Sequence, residues 1–307
     1  MSIEQLIVPE KHDLGGFSVH RSLPHPTRQM VGPFIFFDHL GPAVFPPGEG
    51  VDVRPHPHIN LATVTYLYEG SLLHRDSLGV VQEILPGEVN WMTAGKGVVH
   101  SERSPVAFRD QKATLHAIQT WIALPEEDEE VEPDFTHYGA DALPCWVETG
   151  TSAVLIAGDY QSYRSPVKTF SPMLYLSLSF TPNSRFQLLP NLLQAGEQDA
   201  EVRSQERAAY SLTSGLRLNG EPLPPRQLAV LSSEDTVALT ADKDAEDVRC
   251  IVIGGAPLGV RYKYWNFVSS RAERIAQAKK DWRAGQFPQV PNENESIPLP
   301  DDAADKL

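Results

Sequence analysis

Residues 54–70 read Arg-Pro-His-Pro-His-Ile-Asn-Leu-Ala-Thr-Val-Thr-Tyr-Leu-Tyr-Glu-Gly. The run Leu61 to Tyr68 is dense in β-branched and aromatic residues, the composition that suits a pleated, half-buried surface. Glu69-Gly70 follows as a turn signal. The stretch therefore predicts a strand closed by a tight turn. Just before it stand His56 and His58, an i, i+2 pair, and on a strand such residues point to one face.

The same signature recurs outward along the chain. Leu115 to Leu124, Met173 to Phe180 and Val248 to Ile253 predict strands, with turns at Leu78-Gly79, Pro86-Gly87 and Asn219-Gly220. Short apolar runs separated by turns describe an all-β sandwich or barrel rather than alternating βαβ units. One helix is expected at about 270–284. Ser270-Arg-Ala-Glu273 has the capping-box pattern, Ile275, Lys279 and Trp282 follow at helical spacing, and Gly285 ends it. The last residues, 291–307, rich in Pro, Asn and Asp, are expected as a flexible tail.

With 307 residues and 41% hydrophobic side chains, the chain has ample material for a buried core. Lys and Arg number 26 against 40 Asp and Glu, a net charge of −14. That balance argues against direct nucleic-acid binding and against a polybasic membrane surface, both of which need clustered positive charge. No apolar run of about 18 residues spans a bilayer. The first fifteen residues lack the apolar core of a secretory signal, so a cytoplasmic protein, expected as a monomer, is the default. Cys145 and Cys250 are too few for a disulfide framework and form no CxxC. Both are expected as buried small hydrophobes.

Seven of the nine residues from Glu126 to Asp134 are acidic. Such a run repels itself and is read as a solvated linker, with a calcium site as the less favoured alternative. It divides the chain into an N-terminal domain, 1–125, a linker, 126–135, and a C-terminal domain, 136–290.

The chemistry gathers in the N-terminal part. His100-Ser-Glu102 is a second i, i+2 pair, so two neighbouring strands would bring His56, His58, His100 and Glu102 together. Three imidazoles and a carboxylate suit one divalent transition metal, and Fe, Mn, Co, Ni, Cu and Zn all accept this donor set. If the strand is unbroken beyond His58, the residues of its parity (Asn60, Ala62, Val64, Tyr66 and Tyr68) form a largely apolar wall beside the ligands. Other matches carry less. His74-Arg75-Asp76 mimics the kinase catalytic triplet without the loops that accompany it, and no Gly-x-Ser-x-Gly elbow occurs. Gly95-Lys96-Gly97 is a turn, and His116, in an apolar run, is read as a core histidine. No histidine follows His137, so the C-terminal domain is expected to hold no His-based metal site.

His56-Pro-His58, Thr63-Val-Thr-Tyr66, Glu69-Gly70, Pro86-Gly87, Trp91-Met-Thr-Ala-Gly95 and His100-Ser-Glu102 resemble the pirin family of bicupins. Val31 to Asp38, Tyr264-Trp-Asn-Phe-Val268 and Ala284-Gly-Gln-Phe287 are also similar to it, so the likeness covers about residues 10–290. The resemblance implies two cupin barrels (double-stranded β-helix, jelly-roll) packed face to face, with a short C-terminal helix. It implies one metal, Fe(II), held by His56, His58, His100 and Glu102. Some members resemble quercetin 2,3-dioxygenases, which implies a flavonol substrate, dioxygen and a catalytic Glu102 that is both ligand and proton acceptor. Others are regulators, which implies instead a metal-dependent redox sensor with a protein partner. The sequence departs from the family where many members read Arg-Gly-Phe-Glu after the second histidine. Here the residues are Ile59-Asn-Leu-Ala62, so Glu102 is the remaining carboxylate candidate and an altered pocket rim is expected.

Overall fold

A computed structural model of the chain describes residues 2–13, 17–190 and 205–300. Among them are 25 strands and two α-helices, one a single turn at Val106–Arg109 and one the C-terminal helix Ala272–Arg283. No helix among the described residues is long and apolar enough to cross a membrane. The expected strands are present as Leu61–Glu69, Ala113–Ala123, Met173–Phe180 and Val248–Gly255. The architecture is all-β with two cupin domains.

The chain separates into two compact units, each discontinuous in sequence. One comprises 1–11, 20–37 and 141–258; the other comprises 12–19, 38–140 and 259–307. Residues 126–135, expected as a solvated linker, lie within the second unit. Glu129 there is completely buried. Its carboxylate accepts from the Ser270 amide at 2.6 Å and from the Ser269 and Ser270 hydroxyls, and it faces Arg261 at 3.3 Å. Glu130 pairs with Arg271 and Arg274, and Glu132 with Lys96. The acidic run is thus neutralised by bases from distant parts of the chain, which offsets the self-repulsion inferred from its composition.

In the first unit an eight-stranded sheet runs Ile3–Ile7, Leu228–Leu231, Glu206–Ser211, Val248–Gly255, Met173–Phe180, Thr151–Tyr160 and Cys145–Glu148, with Tyr163–Arg164 paired to Thr151–Tyr160. A second sheet runs Arg185–Leu188, Val237–Ala241, Leu216–Leu218 and Glu221–Leu223. Asn219 and Gly220 join its last two strands with φ of 48° and 86°, the two left-handed residues that a type I′ hairpin requires. The core is aliphatic, with Leu155, Leu174, Leu176, Leu178, Leu239 and Val252 all buried. Cys250 belongs to this core, as expected, but Cys145 is exposed because it opens a strand whose alternate residues face outward.

In the second unit a four-stranded sheet runs Asp52–His58, Val98–Arg103, Leu72–Asp76 and Val81–Ile84. A larger sheet contains, in order, Asp134–Tyr138, Val89–Thr93, Leu61–Glu69, Ala113–Ala123 and Phe34–Phe45, the last belonging to this unit from Asp38 onward. The helix Ala272–Arg283 covers Ile59 and Phe267 with Ile275 and Ala278, and Lys279 sits 3.6 Å over the ring of Tyr264. Its N-cap is Arg271, with no side-chain cap bond, so the Ser270 capping box is not made. Ser270 instead spends its amide and hydroxyl on Glu129, and the Ser269 hydroxyl accepts from the Arg271 amide. The segment after the helix is anchored as far as residue 300. Val290 is buried, the Ile297 amide donates to the Pro55 carbonyl at 2.8 Å, and Glu293 pairs with Arg103 at 2.8 Å. These anchors replace the flexible tail expected for 291–300; residues 301–307 lie outside the described residues.

Candidate metal centre

The four-stranded sheet places the histidines. Asp52–His58 is an edge strand, which tolerates Pro55 and Pro57 because neither has an N–H to give a ladder. It pairs antiparallel with Val98–Arg103, so that His56 lies directly opposite His100 and His58 opposite Val98. The register then slips, with Glu102 opposite Val53. One extra residue at Arg54-Pro55 makes a β-bulge, a feature that bends a strand and re-aims its side chains.

The ligand nitrogens of His56, His58 and His100 all lie within 4.8 Å of one another, and all three residues are buried. Ring centroids are 4.4 Å apart for His56 and His100, and 5.0 Å for each other pair. Burial lowers the pKa of His56, opposed by its bond to the Arg54 carbonyl. Burial, and then the neighbouring imidazoles, hold His58 and His100 well below the ordinary value. All three are therefore neutral at pH 7, the state a metal ligand requires. Nδ1 of His56 bonds the Arg54 carbonyl at 2.9 Å and Nδ1 of His58 bonds the Asn266 carbonyl at 3.1 Å. A carbonyl only accepts, so both rings carry their proton on Nδ1 and leave a lone pair on Nε2. Nδ1 of His100 lies 3.4 Å from Nδ1 of His74, and its buried Nε2 has no hydrogen-bond partner among the described residues. A buried imidazole nitrogen without a partner, beside two others with bare Nε2 atoms, fits a metal ion as the missing partner.

Glu102 lies on the same strand face as His100, close enough that its charge favours a proton on His56. Its carboxylate is engaged elsewhere. Oε2 accepts from Gln119 Nε2 at 2.8 Å and Oε1 from Thr65 Oγ1 at 3.3 Å. Those two partners show which face of the larger sheet looks at the site. Thr65 and Gln119 are register partners, as are Thr63 and Trp121, and Trp121 meets His58 edge-on at 4.9 Å. The odd-numbered residues of Leu61–Glu69 therefore face the ligands. The wall of Ala62, Val64 and Tyr66 expected from the parity of His58 does not, because the strand ends at His58 and Asn60, at φ 58°, reverses the alternation. Thr63, Thr65 and Gln119 make the wall polar. Nor does the departure at Ile59 to Ala62 alter a rim. Ile59 packs under the helix against Phe267, and Asn60 donates to the Glu129 carbonyl.

Sequence reasoning missed Thr65, Gln119, Asn266 and His74. The lone glutamine inside the apolar run Leu115 to Leu124 was an available signal. His116 is a core histidine, with Nε2 2.8 Å from Nε2 of His39 and its ring against Tyr68. Gly95-Lys96-Gly97 is a turn, as expected, and Gly95 is required there. Its φ is 46° and a Cβ would stand 2.0 Å from the Val131 carbonyl oxygen.

Comparison with known proteins gives a consistent picture. A family model described as Pirin matches residues 16–122, and one described as the Pirin C-terminal cupin domain matches residues 191–288. A pirin-like protein of Caulobacter vibrioides is 42% identical, covering 97% of this chain and 100% of that protein. Pirin of Homo sapiens is 28% identical, with 87% of each chain covered. The crystal structure of a quercetin 2,3-dioxygenase from Acinetobacter baumannii superposes with a TM-score of 0.85 at 31% identity, covering 97% of this chain and 95% of that one.

Proposed function

Because this chain belongs to the pirin family, we propose that it is a metal-dependent dioxygenase that opens the ring of a flavonol such as quercetin, using one ferrous ion held by the clustered His56, His58 and His100, with Glu102, released in part from its bonds to Thr65 and Gln119, as the fourth ligand. The observation that carries this reading is the set of three buried, neutral imidazoles whose Nδ1 atoms are all engaged away from the cluster. The substrate class is carried across from the quercetin 2,3-dioxygenase that this chain resembles at 31% identity.

When bound, such an ion supplies a Lewis-acidic, redox-active centre with positions left open for oxygen ligands. The chain's own residues do the rest. Gln119 holds Oε2 of Glu102 at 2.8 Å, while Oε1 has the longer contact, 3.3 Å to Thr65. Oε1 is therefore the atom that accepts the flavonol hydroxyl proton, since a general base must be positioned yet keep a lone pair for its substrate. Trp121 packs against His58 and limits water at that ligand.

The test is oxygen uptake with quercetin, using protein loaded in turn with Fe(II), Mn(II), Co(II), Ni(II) and Cu(II). Uptake with iron that disappears in His56→Ala is expected. No uptake with any metal, despite one bound equivalent, refutes the dioxygenase. It would leave the same centre to a metal-dependent regulator, whose protein partner would be basic to match the net charge of −14.

A further inference from the structure

His74-Arg75-Asp76, which mimics a kinase triplet in sequence, stands directly behind the metal-ligand cluster. The strand Leu72–Asp76 pairs with Val98–Arg103 so that Asp76 lies opposite His100 and His74 opposite Glu102. Asp76 is completely buried. Its Oδ1 accepts from the backbone amides of Leu78 at 2.9 Å and Val80 at 3.0 Å, which fixes the carboxylate. Its Oδ2 lies 3.0 Å from Nε2 of His74. On the other side of that ring, Nδ1 of His74 faces Nδ1 of His100 at 3.4 Å. Phe135 stacks on the His74 ring, with centroids 4.4 Å apart and planes 22° from parallel, and so holds its orientation.

The hydrogen-bond roles follow in sequence from the buried end. A carboxylate only accepts, so Nε2 of His74 carries the proton. Taking His74 as a neutral imidazole, with one N–H, leaves its Nδ1 as a lone pair. Two lone pairs cannot face each other at this distance, so Nδ1 of His100 carries the proton and its Nε2 is left bare. We propose that Asp76 and His74 are positioning residues for the metal, a two-step relay that fixes His100 in the tautomer whose Nε2 can coordinate. His56 and His58 reach the same state through backbone carbonyls, whereas His100 depends on side chains and can be altered by substitution. The metal role of the relay rests on the metal-centre reading above; the tautomer does not.

The experiment has two arms on the full-length chain. In the first, two-bond proton–nitrogen NMR correlations of 15N-histidine in chelator-treated protein identify which nitrogen of His100 is protonated. The proposal expects Nδ1. In the second, parent and Asp76→Asn are compared. The asparagine is isosteric and still accepts the two amides through Oδ1, but its Nδ2 donates to His74. That moves the His74 proton to Nδ1 and the His100 proton to Nε2. The expected result is this change of tautomer together with a 10–100-fold loss of Co(II) affinity, the usual scale for a group bonded to a metal ligand. A parent with His100 protonated on Nε2, or an Asp76→Asn protein with unchanged tautomer and Co(II) affinity, overturns the relay. A parent that shows the expected tautomer but binds no Co(II) keeps the tautomer assignment and overturns the metal reading instead. If Asp76→Asn does not fold, the spectrum of the parent alone decides.

Discussion

Glu102 is gripped from across the barrel rather than by its own strand, and the two grips differ in strength. Gln119 is the closer and Thr65 the more distant partner. Replacing Gln119 by Leu removes the stronger without touching an imidazole. Turnover of quercetin is expected to fall roughly 10–100-fold with the bound metal per chain retained, measured by oxygen uptake beside elemental analysis. A second residue, Glu129, tests stability instead. Both it and Arg261 are buried, and removing one partner strands the other's charge. Glu129→Ala is expected to cost about 3–5 kcal/mol, read from urea unfolding. At this scale the sequence was legible wherever a period of two decided the outcome. His56 and His58, and His100 and Glu102, are each two apart, and spacing alone put each pair on one face. Thr65 and Gln119 were hidden because one residue, Asn60 at positive φ, inverts the alternation between two strands that read as continuous.

Among elements, the segment 286–300 acts as a strap over the outer face of the ligand strands. Its anchors are single contacts: Glu293 to Ser101 and Arg103, the Ile297 amide to Pro55, and the Pro300 carbonyl to Tyr264. No periodicity marks such contacts, and a composition of Pro, Asn and Glu resembles that of a frayed end, which is why sequence alone suggested a loose tail. The strap carries a pH dependence of known sign. The Arg103 guanidinium holds the Glu293 carboxyl below the usual range, with burial opposing it. A carboxylate depressed in the folded state contributes stability that is present above its unfolded pKa and is lost as the pH falls through the folded value. Hydrogen exchange at the Ile297 amide, taken relative to the intrinsic rate at the same pH, is therefore expected to accelerate as the pH falls below the ordinary carboxylate range. Arg103→Ala is expected to accelerate it already at pH 7; equal protection in both proteins would count against the strap.

At the scale of the molecule the two units differ in composition. The segment 141–258 contains no histidine, and its unit is filled with leucine and valine. One metal equivalent per chain is expected, and Leu176→Ala, a buried truncation costing about 2–5 kcal/mol, is expected to lower the unfolding midpoint without changing that stoichiometry. The boundaries were not legible, because they depend on pairings such as Ile3–Ile7 with Leu228–Leu231, which are separated by more than two hundred residues and leave no local mark. One of the discontinuities bears on the order of biosynthesis. A ribosome that has translated as far as residue 258 has made all three imidazoles but not the Asn266 carbonyl, 208 residues beyond His58, that sets the tautomer of His58. The nascent chain thus carries the donors long before it carries the means to orient them, and a fully oriented set of imidazoles waits for residue 266.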